Sequence, residues 1–238
     1  MTETWAELNI SCESCHGPGK AHSAAPNIDN IVNPARLSTA RSMEVCLACH
    51  QAGKPAGKEF AWAVGYEPGL ELAKFWTGFE PEAGKQTAEF WHNGTAHKNR
   101  VQGNTFRHSV MFDHGLQCSN CHDSHSARHT AMTVKSAANN ALCLTCHGPG
   151  QDAALKQENL VDHTHHVATS TGSKCIECHM AKTGENSVAA EARNHTFQFI
   201  SPTETLRSGD PNSCNLCHTD KNAQWALDFV TKWYPKVK

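Results

Sequence analysis

Apolar positions recur with helical spacing in only three stretches of the chain. Residues 38–50 place Met43, Val45, Cys46 and Leu47 on a run that Ser38 or Thr39 can cap, which predicts a helix ending at His50. Residues 135–147 predict a similar helix, ending at His147 with Gly148-Pro149 as its stop. The clearest pattern is the last. Asp220 as N-cap leads into Trp225, Leu227, Phe229, Val230 and Trp233, and the helix stops before Pro235. Alternating runs are too short to predict more than a few residues of strand. Residues 17–34 and 181–213, rich in Gly, Pro, Ser and Asn, read as loops. The expected fold class is mainly α with long irregular loops.

Composition makes such a fold hard to stabilise. Only 39% of the 238 residues are apolar and 7% aromatic, so the side chains alone give a thin core for one or two domains. No stretch approaches the roughly 20 apolar residues of a transmembrane helix. Six Trp and a charged fraction of 18% argue against disorder. Lys+Arg 21 against Asp+Glu 23 argues against a nucleic-acid partner. Something other than side chains must fill the middle: disulfides, metals or cofactors.

The cysteines select among these. All twelve fall in pairs with two residues between them, and His follows every pair. The six runs are Cys12, Cys15 and His16 (CESCH); Cys46, Cys49 and His50 (CLACH); Cys118, Cys121 and His122 (CSNCH); Cys143, Cys146 and His147 (CLTCH); Cys175, Cys178 and His179 (CIECH); and Cys214, Cys217 and His218 (CNLCH). A disulfide framework needs no His after each pair, structural zinc does not require six like pentapeptides, and a redox CxxC occurs once per domain. CxxCH is the attachment sequence of c-type haem: two thiols add to the vinyl groups at one porphyrin edge, and the His becomes the proximal iron ligand. Six covalently attached haems c are expected.

Six of the 17 His are then proximal, leaving eleven: His22, His92, His97, His108, His114, His125, His129, His163, His165, His166 and His195. So many imidazoles for six distal positions predict mostly bis-His iron, which changes oxidation state with little ligand rearrangement. Met is the weaker distal candidate, with Met111 and Met180 considered among the five. The spacing is uneven, with a 67-residue segment, 51–117, between the second and third motifs. The whole of 1–238 reads as one hexahaem module, with haems 1–2 in 1–60, an aromatic-rich insert over 51–117 and haems 3–6 in 118–238. The insert carries Trp62, Tyr66, Phe75, Trp76, Phe79, Phe90 and Trp91, expected to pad haem faces. The motif repeats but its spacers do not, so this is no solenoid.

Several longer segments carry a family resemblance: TWAELNISCESCHGPGKAH (4–22), GTAHKNRVQGNTF (94–106), GLQCSNCHDSH (115–125), HTHHVATSTGSKCIECHM (163–180), RNHTFQFISP (193–202) and DPNSCNLCHTDKNAQWALDFVTKWY (210–234). They resemble multihaem c-type cytochromes related to nitrite reductase and hydroxylamine oxidoreductase, most closely the non-catalytic modules sometimes joined to tetratricopeptide repeats. The resemblance implies a haem-cored multihaem cytochrome c, with His22, His125, His195 and His97 as distal ligands. A fifth would come from His163, His165 or His166, with His166 favoured and His163 next. The sixth is left to His108, His114 or His92, and His129 is expected at the surface. Relatives carry further motifs before TWAELN and repeats after WY, so the chain reads as one trimmed module. It lacks the CxxCK of catalytic haems in this group and has only Tyr66 and Tyr234, which speaks against an enzyme.

The expected function is electron transfer through closely packed haems between redox protein partners. The alternatives are a multihaem reductase with one open haem, and a subunit that polymerises into a homo-oligomer or filament. Haem c attachment places the protein in the periplasm or outside the cell, although residues 1–11 carry neither a basic nor an apolar leader region. Twelve propionates would move the formal charge from −2 to roughly −8 oxidised and about −14 reduced, so reduction should draw protons.

Overall fold

The structure, a computed structural model, describes residues 10–57, 60–151, 159–184 and 192–235. In chain order its elements are α1 (Cys12–His16), α2 (Lys20–Ala24), α3 (Thr39–His50), β1 (Gly53–Pro55), β2 (Trp76–Gly78), α4 (Gln102–Phe106), α5 (Val110–Asp113), α6 (Cys118–Cys121), α7 (Leu144–His147), α8 (Leu160–Thr164), α9 (Cys175–His179), α10 (Pro202–Ser208) and α11 (Ala223–Trp233). Short 3₁₀ turns lie at Pro34–Arg36, Leu72–Lys74, Thr130–Met132 and Thr171–Ser173. Most helices are a single turn, too short to persist without tertiary support.

The motifs explain those single turns. α1, the end of α3, α6, α7 and α9 each carry a CxxCH run, and the sixth run forms a turn closed by the His218 amide donating to the Cys214 carbonyl at 2.9 Å. The same bond joins His122 to Cys118 and His147 to Cys143, each at 2.9 Å. In a helical turn, positions i, i+3 and i+4 share one face, so both sulfurs and the imidazole emerge on the same side.

The chain divides into two compact units, Met1–Phe79 and Glu80–Lys238. In the first, α3 begins at Ser38, whose hydroxyl accepts from the Arg41 amide, and buries Met43, Val45, Leu47 and Ala48. β1 and β2 pair antiparallel, Gly53 opposite Gly78 and Pro55 opposite Trp76. Gly78 must lack a side chain, because a Cβ there would lie 1.5 Å from the amide nitrogen of the buried Gln51.

In the second unit α10 packs on α11, and Phe90, Trp91, Val101, Phe106, Ile200, Ala226 and Val230 are buried. Buried polar groups tie distant segments together there. Trp91 Nε1 donates to the Thr183 carbonyl at 2.9 Å, Thr183 Oγ1 to the Ala96 carbonyl at 2.7 Å, and the Ala96 amide to Asn194 Oδ1 at 3.4 Å. Asn194 itself is fully buried. Such groups are costly to bury unless bonded, so they specify position rather than add apolar stabilisation.

The mainly helical, loop-rich class is observed, with particular corrections. Residues 135–143 are turns, and only Leu144–His147 is helical. Asn140 adopts φ 65°, which breaks helical continuity. α11 is capped by Asn222, whose Oδ1 accepts from the Trp225 amide at 2.8 Å, and not by Asp220. The stretch 17–34 contains α2, and 181–213 contains α10, started by the Ser201 hydroxyl and Pro202 at N1. Residues 185–191 of that stretch lie outside the described residues. The division between units falls within 51–117. His129 is half-buried rather than at the surface.

Candidate haem sites

Cysteines of consecutive motifs sit within each other's electrostatic reach. The Cys15 thiol is pushed up by burial and by Cys46 and Cys49, so the first two motifs are neighbours. Burial and Cys146 raise Cys121. A hydrogen bond between Cys143 and Cys175 raises the former and lowers the latter. Burial, Cys214 and Cys217 push Cys178 up to about 11. Motifs three to six therefore adjoin in sequence order. Two hydrogen-bonded braces fix this. Asn140 donates to the Ser173 carbonyl at 2.8 Å while accepting from the Cys175 amide at 2.9 Å, and Ser213 Oγ donates to the Cys178 carbonyl at 2.8 Å.

Three of the motif histidines face a second imidazole. Ring centroids are 6.4 Å apart for His122 and His195, 6.2 Å for His179 and His163, and 6.1 Å for His218 and His166, with interplanar angles of 26°, 10° and 34°. These separations exceed ring contact. With metal–nitrogen bonds of about 2 Å and a ring nitrogen about 1.1 Å from its centroid, two imidazoles on one metal lie roughly 6.3 Å apart.

The outer nitrogens are held as an iron ligand requires. Nδ1 of His122 lies 2.8 Å from the Ala131 carbonyl, that of His195 2.9 Å from Arg193, that of His179 3.1 Å from Phe197, and that of His166 2.5 Å from Thr164. In the first unit His16 Nδ1 lies 2.6 Å from the Val32 carbonyl, and His22 Nδ1 lies 2.9 Å from Asn30 Oδ1. A carbonyl only accepts, so Nδ1 carries the proton and the lone pair sits on Nε2, the atom that would meet iron. Burial, then His179 and His165, lowers His163, and burial is the largest cause lowering His179, so both favour the neutral form a metal needs.

The remaining candidates are placed differently. His97 Nδ1 lies 2.9 Å from the Thr87 carbonyl, with its ring 4.0 Å from Trp91. His92 Nδ1 lies 2.7 Å from Oδ1 of the fully buried Asp210. His108 instead commits Nε2 to Glu80 at 2.8 Å, and His114 and His125 lie at the surface. His165 stacks on Trp233, 4.5 Å apart and 12° from parallel. The supporting carbonyls, Asp210 and Asn140 were not visible in the motif pattern. No periodicity marks a backbone acceptor.

The residues fit a covalently held haem. An apolar cleft is lined by Cys214, Cys217, His218 and His166, and walled by Trp225, Phe229 and Trp233 of α11. It brings two thiols, two imidazoles and aromatic cover to one place, a lining that would hold a haem. Among the described residues no three His, Cys, Asp or Glu converge as a bare metal ion would need.

Residues 108–152, which include the third and fourth motifs, match the family described as a doubled CXXCH motif. The crystal structure of the outer cell wall cytochrome OcwA superimposes with a TM-score of 0.68, at 20% identity, over 98% of this chain and 59% of that one. The fold is that of a multihaem cytochrome. The chain thus spans somewhat over half the length of that cytochrome. No curated protein matches it. The doubled motif supports covalently bound haem c. Among the described residues no helix is long and apolar enough to cross a membrane.

Proposed function

We propose that the protein is an electron carrier that relays electrons through six covalently attached haems c, most of them held between two imidazoles. The observation that carries this reading is the imidazole separation of 6.1–6.4 Å at three motifs. Each haem supplies a one-electron iron couple when bound. The chain does the rest. Paired cysteines would hold the porphyrin edge, carbonyls at Nδ1 would orient His122, His195, His179 and His166, and α11 would exclude water from the site of the sixth motif. Adjacent motifs, braced by Asn140 and Ser213, keep neighbouring sites close, which is what a relay needs.

The six sites act as one module across both units in this reading. Redox proteins serve as donor and acceptor. Haem c attachment and the likeness to an outer cell wall cytochrome support a location outside the cytoplasm, in the periplasm or beyond the cell.

Intact mass under denaturing conditions tests the count. The 26.0 kDa chain should gain six haems, and a smaller increment overturns the hexahaem reading. Electron paramagnetic resonance of the oxidised protein, with carbon monoxide binding to the reduced form, tests ligation. Low-spin signals should dominate. A full equivalent of high-spin haem that binds carbon monoxide would favour a reductase.

A further inference from the structure

We infer that one tetrapeptide, residues 163–166, supplies the distal ligand of two irons: His163 to the haem of Cys175–His179, and His166 to the haem of Cys214–His218. The inference rests on the haem-binding reading above and goes further, because it assigns two rings where one was expected from this segment.

Geometry carries the assignment. His163 faces His179 at 6.2 Å, 10° from parallel, and His166 faces His218 at 6.1 Å. Both separations match two imidazoles sharing a metal, and no ring is used twice. The two sites are neighbours, since Ser213, just before the sixth motif, bonds to the carbonyl of Cys178 in the fifth. Three peptide steps span at most roughly 10 Å, so the rings start close together and must diverge. His165 supplies the divergence. It adopts φ 54° and ψ 26°, a left-handed conformation that ends α8 and reverses the chain between the flanking imidazoles.

The middle histidine is held elsewhere. Its ring lies flat on Trp233, and Tyr234 crosses it edge-on at 5.7 Å. The Tyr234 hydroxyl donates to the His163 carbonyl. The end of α11 therefore grips the bridge from outside while Trp225 and Phe229 wall the sixth site. His166 is further fixed by its Nδ1 contact to the Thr164 carbonyl. The result is a short strap that sets the relation between two redox centres, with His165 as a positioning residue.

Three variants of the full-length holoprotein test the strap: His163→Met, His166→Met and His165→Phe, which keeps a ring on Trp233. Each methionine variant should convert one bis-His haem to His/Met, seen as a sulfur-to-iron charge-transfer band and a raised potential for one haem. The double variant should show twice the band of either single variant. His165→Phe should leave the bis-His ligation of these two haems unchanged. A double variant no different from a single one, or a ligand lost in His165→Phe, overturns the inference. Iron-edge anomalous diffraction from the unaltered holoprotein gives an answer independent of variant folding. One iron between His163 and His179 and another between His166 and His218 are expected; iron bound to His165, or either pair without iron, overturns it. Failure of the hexahaem reading would show separately, in the intact mass.

Discussion

Gly172 lies so close to His166 that a methyl group on its Cα would sit 2.2 Å from the imidazole Cδ2. The glycine is needed for space rather than for an unusual backbone angle. Gly172→Ala should therefore push the ring off its position opposite His218. The expected result is a new carbon monoxide-binding haem and a loss of about 1–3 kcal/mol from overpacking. Gly57→Ala, where a Cβ meets nothing within 4 Å among the described residues, is the matched control and should change neither. A Gly172→Ala protein with an unaltered carbon monoxide count would refute the contact.

Asn140 joins the fourth motif to the fifth through two buried hydrogen bonds. Asn140→Ala strands a carbonyl and an amide at about 1–3 kcal/mol each, which at about 2–4 °C per kcal/mol lowers the melting temperature by several degrees. Asn140→Gly removes the same bonds but suits φ 65° better, so it should fall between wild type and Asn140→Ala. Calorimetry of the holoproteins reads the order.

Tyr66 makes an alkaline prediction. Its hydroxyl is buried without a hydrogen-bond partner among the described residues, and burial, aided by Glu44, pushes the phenol up to about 12. Its folded value lies above the ordinary phenol value of 10.0, so the unfolded chain ionises first. Stability is complete below pH 10 and falls as pH rises from about 10 to 12. Tyr66→Phe should abolish that share of the decline and cost little at pH 7. Chemical denaturation at pH 8, 10 and 11 checks it.

The α11 cap is a smaller case. Asn222→Ala should cost about 1 kcal/mol by removing the acceptor of the Trp225 amide. Asp220→Ala should cost less, although Asp220 was the cap expected from sequence. Equal effects in paired melts would mean that the cap bond contributes nothing.

The thin core makes a prediction for the whole chain. Produced where haem cannot be attached, the polypeptide should lack cooperative melting and near-ultraviolet ellipticity, because the apolar side chains alone bury too little surface. A sharp thermal transition in the haem-free chain would contradict this.

What could be read from sequence follows from where each instruction is local. α3 was legible because Ser38, the apolar spacing and the motif all lie within 13 residues (38–50). The six CxxCH motifs were legible because their spacing repeats, and a helical turn brings i, i+3 and i+4 to one face. The helix expected over 135–147 was not formed as read. Asn140 serves partners at Ser173 and Cys175, more than 30 residues away, and a periodicity argument cannot see them. α10 was hidden because the composition of 181–213 masked its Ser201-Pro202 start. The division of labour among His163, His165 and His166 depends on one left-handed residue, for which histidine gives no sequence signal.

The pairing of His122 with His195 has a consequence in time. A chain is made from its amino terminus, so His122 is available 73 residues before His195 (195 − 122). Between those moments the third site has its cysteines and its first imidazole, while its second imidazole has yet to emerge. His125 and His129 lie within seven residues of His122 and are made before His195. The facing pair of imidazoles at this site therefore cannot be complete until residue 195 has been made.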